Sequence, residues 1–363
     1  MNLSLTFSTY ISKRFLTGVG LTLAIISCVI LLSSSIEVAR STYGKEVSFS
    51  IISKLILLKY PFLIQKILPF LILLGSLFCF SQLTRSGELV IARAVGISVW
   101  QFLLPALICT IVIGLFVITV FNPFSAALLS TQERLAHKYL KGSASTVTIF
   151  NQGIWLKEKN VLGNIIIHAK SVYSKEMKLY EVNFFILDKD NNFIRRINAK
   201  SAELYKGYWN LNEASIFSAN KFSEPIDNYK ITTTLELGNL QDSFSSPETI
   251  SFWEMPSFIN SLKNAGFSAI KHSIYYYSLL IQPLLMCSMV LIAASFSLHL
   301  PRHGKLGINI IYGVMVGFTI YFFTHLISAL GLAGTIPLSL AILAPVTISL
   351  LIGIALLLHY EDG

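Results

Sequence analysis

Six stretches of the chain, 15–36, 62–83, 97–121, 273–300, 307–328 and 336–358, are continuously apolar. Each matches the roughly 20 apolar residues that a helix needs to cross the hydrocarbon layer of a bilayer. Lys66, His299 and His325 are the exceptions inside them. Pro69, Pro105, Pro283 and Pro345 also fall within these stretches. They are tolerable where neighbouring helices cover the kinks. Over 122–265 the texture changes to short alternating runs, at 147–150, 153–157, 165–172, 179–187, 193–199, 208–211 and 229–237. These runs mix β-branched and aromatic residues with polar ones, and turn-forming clusters such as Asp188–Asn192 separate them. Many short strands at this spacing predict an antiparallel sandwich or jelly roll. The pattern therefore predicts an α-helical integral membrane protein of six transmembrane helices with an inserted all-β domain. Its parts are 1–121 with helices 1 to 3, the β domain at 122–265, and 266–363 with helices 4 to 6. Helical leads are expected at 125–141 and 255–264. Lys13 and Arg14 precede an apolar stretch too long for a signal h-region, so the first helix is expected to be retained.

Composition agrees with the pattern. Of 363 residues, 53% are hydrophobic and 13% charged, whereas soluble domains run near a quarter charged. The net charge of +9 is uneven. The segment 122–265 holds 16 Lys and Arg against 14 Asp and Glu, leaving 12 against 5 for the membrane part. That excess favours anionic lipid or phosphate over nucleic acid, which needs a basic face on a soluble domain. Cys28, Cys79, Cys109 and Cys287 all lie in apolar runs, so neither a disulfide framework nor a zinc spacing is available.

Catalytic signatures are missing. There is no Walker A sequence, since Gly304-Lys305 lacks the upstream glycine and the following Ser or Thr. Gly-x-Ser-x-Gly and His-Glu-x-x-His do not occur either. The apolar stretches contain no carboxylate of the kind proton-driven transporters use. The chain is expected to be neither an enzyme nor self-powered.

Two groups of residues remain as candidates. Between helices 2 and 3, Ser86 can cap a short amphipathic helix over about 86–96, Glu88 suits its positive N-terminus, and Gly96 can stop it. With Leu89 and Arg93, this helix is either a docking surface for a soluble motor or an interfacial helix on lipid. At the opposite ends of helices 1 and 2 stand Arg40, Lys45, Lys59 and Lys66, near Glu37. They are either a phosphate clamp or snorkelling charges. The positive-inside rule, read from Lys13, Arg14, Arg85, Arg93, Arg302 and Lys305, puts the N- and C-termini in the cytoplasm. The basic residues at the outer ends run against that rule and call for a separate cause.

The chain resembles the lipopolysaccharide export permeases of Gram-negative bacteria, the LptF/LptG family, and the LptG branch more closely. The resemblance rests on Tyr10-Ile11-x-Lys13, Glu88-Leu89-Val90 with Ala94-x-Gly96, Gly153-Ile154-Trp155-Leu156-Lys157, and Gln282-Pro283-Leu284. Further along it rests on Ala294-Ser295-Phe296, Pro301-Arg302, Gly317-Phe318 with Tyr321, and Gly334-x-x-Pro337. It implies an inner-membrane permease with a periplasmic jelly roll, extracting lipopolysaccharide from the outer leaflet. It also implies a second permease, LptF, a dimeric cytoplasmic ATPase, LptB, that binds the ATP, and a periplasmic bridge of LptC and LptA. No cofactor is then expected on this chain. Arg40, Lys45, Lys59 and Lys66 would meet lipid A phosphates, acyl chains would lie along helices 1, 2 and 5, and Glu88, Leu89 and Arg93 would couple to the ATPase. Where the family carries further lysines, this chain has Ser34, Ser41 and Phe62, with Lys66 one helical turn from Phe62. The rival reading is a mechanotransmission subunit, which shares the coupling helix and has no use for a basic outer rim.

Overall fold

In the computed structural model the described residues are 5–44, 47–136, 138–139, 146–150, 153–160, 163–173, 178–188, 192–205, 207–218, 221–222, 226–233, 246–264, 267–298 and 306–361. The chain divides into two compact units. The helical unit comprises 1–135, 251–253 and 274–363, and the second unit comprises 136–250 and 254–273.

In the helical unit, α1 (Leu5–Thr42) and α2 (Phe49–Arg85) are far longer than their apolar stretches. The helices continue because flanking residues such as Arg14, Glu37, Lys54 and Lys59 are compatible with helix and place their charges at the ends. A short α3 (Glu88–Ala94) precedes α4 (Val99–Phe116), which Ser98 and Gln101 open with a reciprocal capping box. A π-helical turn (Val117–Phe121) joins α4 to α5 (Asn122–Ala136). After the β domain come α6 (Met255–Asn264), which belongs to the second unit, and then α7 (Ile270–Ser297), α8 (Leu306–Leu332) and α9 (Leu338–Glu361). Six helical spans are long and apolar enough to cross a membrane, as the sequence predicts. The lead expected at 125–141 is α5, described to Ala136, and the lead at 255–264 is α6.

The central helices are α2 and α7, and α1 and α8 leave most of their surface open. Phe15, Phe80, Phe102, Leu73, Met289 and Ile292 belong to one buried cluster. Since lipid is as apolar as leucine, contacts between such helices depend on close packing and interhelical hydrogen bonds. At the crossing of α1 and α2, a Cβ on Gly18 would lie 2.8 Å from the Gly75 carbonyl oxygen. Only a glycine lets the two backbones approach this closely. Between α2 and α7, Thr84 Oγ1 donates to Ser297 O at 2.8 Å, and Gln282 Nε2 donates to Gln65 O at 3.2 Å.

The π-helical turn also has a structural role. Trp253 Nε1 donates to Thr119 O at 3.1 Å, so the widened turn gains a side-chain donor. Buried Asn122 accepts from the Phe252 amide at 2.9 Å and donates to Tyr275 Oη at 3.4 Å. The tripeptide 251–253 is thereby fastened to the end of the third span.

The second unit holds eight antiparallel strands: β1 (Thr146–Phe150), β2 (Gly153–Asn160), β3 (Gly163–Tyr173), β4 (Lys178–Leu187), β5 (Phe193–Tyr205), β6 (Tyr208–Ser218), β7 (Lys221–Phe222) and β8 (Ile226–Thr232). Neighbours pair in sequence order from β1 to β7, and β8 joins β6. The inserted antiparallel β domain is as expected, and its described pairing is that of a meander. Among the described strands there is no Greek-key crossover of the kind a jelly roll uses. Trp209, Phe184, Ile167 and Ile197 are buried on its inner face.

One feature of the sheet breaks simple alternation. On β4 the buried apolar positions are Leu179 and then Val182 and Phe184; on β5 they are Ile197 and Ala199, then Ala202 and Leu204. On β6 they are Trp209 and Leu211, then Ala214. The inward parity switches along one row of the sheet, at Glu181, Lys200 and Glu213, where the ladder pairings lapse. Glu181 and Glu213 adopt φ of 51° and 50°, which non-glycine residues seldom do. Their carboxylates pair with Lys170 and Lys200 at 3.0 and 2.9 Å. The sheet is creased along this charged row.

Candidate functional site

The candidate residues fall at two ends of the helical unit. At one end, Arg40 lies exposed in the last turn of α1. Lys59 reaches from α2 to Glu37 of α1, donating at 2.8 and 3.0 Å to the two carboxylate oxygens. Lys66 follows two turns later on the same face of α2 and is exposed. On α8, His325 meets Tyr321 edge-on at 4.5 Å. Phe70, one turn beyond Lys66, packs against Phe318 and Tyr321 of α8. Arg40, Lys59 and Lys66 are thus on adjoining helices, with Lys59 internally neutralised and the other two open. Lys45 lies outside the described residues.

Further along the same helices, an apolar cavity of about 300 Å3 lies among α1, α2 and α8. Ile25, Ile26, Leu74, Leu77, Phe78, Ile310 and Val314 line it, with Thr22 and Ser81. Both hydroxyls turn back to their own helix, Thr22 to Gly18 O and Val19 O and Ser81 to Phe78 O. The wall therefore presents no unmet polar group, and chemically it suits hydrocarbon.

At the other end stands α3. Its N-cap is Gly87, with φ of 75° and no side-chain cap; Ser86, expected to cap, instead donates to Glu88 Oε1 at 2.9 Å. Gly96 ends the helix as expected, with φ of 85° and its amide on Arg93 O at 2.9 Å. Tyr10 Oη of α1 donates to the same Glu88 oxygen at 3.1 Å, and Arg14 Nε donates to Tyr10 Oη at 3.0 Å. Leu89 is 1% exposed and belongs to the bundle's buried cluster with Ile11 and Phe15. It is therefore a packing residue, and cannot itself form the outer face of α3. That face consists of Val90, Ile91 and Arg93, all exposed. The sequence does not place Tyr10 and Arg14 beside Glu88. Their spacing of four residues, which puts both on one face of a helix, was the signal that could have found them.

The family described as "Lipopolysaccharide export system permease LptF/LptG" matches residues 9–359. The chain is similar to the lipopolysaccharide export system permease protein LptG of Haemophilus influenzae, at 24% identity over 355 residues and 94% of both chains. It is similar also to LptG of Escherichia coli strain K12, at 22% identity over 318 residues and 84% of both chains. With the family match running from the first helix to the last, the chain belongs to the LptF/LptG family of lipopolysaccharide export permeases.

Proposed function

We propose that this chain is the LptG-type permease of an exporter in which a separate ATPase of the LptB kind docks on α3. A second permease of the LptF kind pairs with it, and ATP hydrolysis drives lipopolysaccharide out of the outer leaflet of the inner membrane. The β domain, on the periplasmic side, passes the lipid to a bridge built by LptC and LptA. Both termini are then cytoplasmic. The chain itself carries no catalytic role and needs no cofactor.

One observation carries the reading. The exposed cations are Arg40, in the last turn of α1, and Lys66, midway along α2, and an apolar cavity lies further along the same helices. Phosphate at the cations and acyl chain against the apolar wall is the order in which an amphiphile of this kind presents its groups. A purely mechanical subunit needs neither. Within this reading Arg40 and Lys66 are the leading contacts, and Lys59 contributes less because Glu37 holds it.

Photocrosslinking from positions 40 and 66 in living cells tests the assignment. Adducts that carry lipopolysaccharide are expected at both. Their absence, with the export complex intact, would return the mechanotransmission reading to first place.

A further inference from the structure

Glu88 was singled out as a contact for the ATPase, yet every hydrogen bond and ion contact it makes among the described residues falls on one oxygen. Oε1 accepts from Tyr10 Oη at 3.1 Å and Ser86 Oγ at 2.9 Å, and Arg14 Nη2 stands 4.0 Å away. Arg14 supports Tyr10 twice, through Nε on the hydroxyl at 3.0 Å and with its guanidinium 5.4 Å from the ring centroid. Four side chains thus form one relay, Arg14 to Tyr10 to Glu88 with Ser86 alongside, joining α1 to the first residue of α3.

The covalent links of α3 are soft by comparison. It joins α2 through Gly87 and is followed on the α4 side by Gly96, both in the left-handed region at φ of 75° and 85°. A Cβ on either would meet nothing within 4 Å. Glycine is the residue for which such a backbone can rotate at least cost. A force applied to α3 has two stiff routes inward, the packing of Leu89 and the clasp of Glu88 on α1. The α1 route is long. About 27 residues at 1.5 Å each, roughly 40 Å, separate Tyr10 from Glu37, which holds Lys59 at 2.8 Å.

We propose that Tyr10 and Arg14 are positioning residues that lock α3 to α1 through Oε1 of Glu88. A displacement of α3 by the docked ATPase is thereby delivered along α1 to the basic end of the helices. Oε2 of Glu88 is left to face the partner, so one carboxylate serves both junctions. This rests on the reading of α3 as the ATPase's docking surface.

The test uses the complete complex of both permeases and ATPase in proteoliposomes loaded with lipopolysaccharide, and reads lipid released per ATP hydrolysed. Tyr10→Phe keeps the ring and removes only the bridging hydroxyl. ATPase association and basal hydrolysis are expected to stay within twofold of wild type, and lipid released per ATP to fall at least threefold. Arg14→Lys keeps the charge and loses the Nε donor, and is expected to shift the same ratio less. An unchanged ratio in Tyr10→Phe overturns the clasp. So does loss of ATPase association in step with transport, which would make the hydroxyl part of the docking face alone. A wild-type complex that hydrolyses ATP and releases no lipid rejects the transport reading itself, and the clasp with it.

Discussion

Lys59 and Lys66 are two turns apart on one face of α2, and in the sequence they look equivalent. The structure separates them, because Lys59 bridges to Glu37 while Lys66 is exposed. The pairing was not legible, since Glu37 lies 22 residues earlier on another helix. Glu37→Gln should release Lys59 and raise its modification by an amine-reactive reagent, while that of Lys66 stays as it was; equal yields before and after would refute the pairing as a control on Lys59. A second carboxylate is tunable by pH. Glu203 in the β domain is held below the ordinary carboxylate range by hydrogen bonds from Lys178, at 2.7 Å, and then Tyr205, at 3.1 Å. A lowered folded value means the pairing contributes stability above the unfolded value of about 4.3, and loses it as pH falls through the lower folded value. Lys178→Ala should move the Glu203 titration upward, as carboxyl carbon-13 shifts would record.

At the scale of elements, the six spans were legible because membrane crossing imposes a length and composition that a single sequence displays. Their true ends were not, because helix continues past the hydrocarbon wherever Arg14 or Lys59 can reach water. The crease was hidden for a different reason. A one-residue shift in three separate strands reads as irregular alternation until register lines up Glu181, Lys200 and Glu213. The Gly18–Gly75 crossing was equally invisible, being a contact of two backbones far apart in sequence. Gly18→Leu should cost about 1–3 kcal/mol of packing, the scale of overpacked cores. Gly20→Ala, where a Cβ meets nothing within 4 Å, should leave thermal unfolding in detergent unchanged or slightly higher. Equal melting of the two variants would disprove the close crossing. At the π-helical joint, Asn122→Ala strands the Phe252 amide and should cost about 1–3 kcal/mol, again measured by thermal unfolding against wild type.

For the whole molecule, the arrangement has a direction. Val90, Ile91 and Arg93 form an outer face at one end, an apolar cavity lies within, and the exposed cations Lys66 and then Arg40 follow toward the other end of α2 and α1. The coarse plan of six spans and an inserted β domain followed from hydropathy, whereas the cargo entered only through family resemblance, because an apolar wall does not name the lipid it meets. The clasp needed coordinates, as Tyr10 and Glu88 are 78 residues apart. That this chain takes lipopolysaccharide out of the inner membrane is tested by depleting it in its native bacterium and following newly made lipopolysaccharide by pulse labelling. New lipid should accumulate at the inner membrane as the protein falls; delivery to the outer membrane at an undiminished rate would contradict the account.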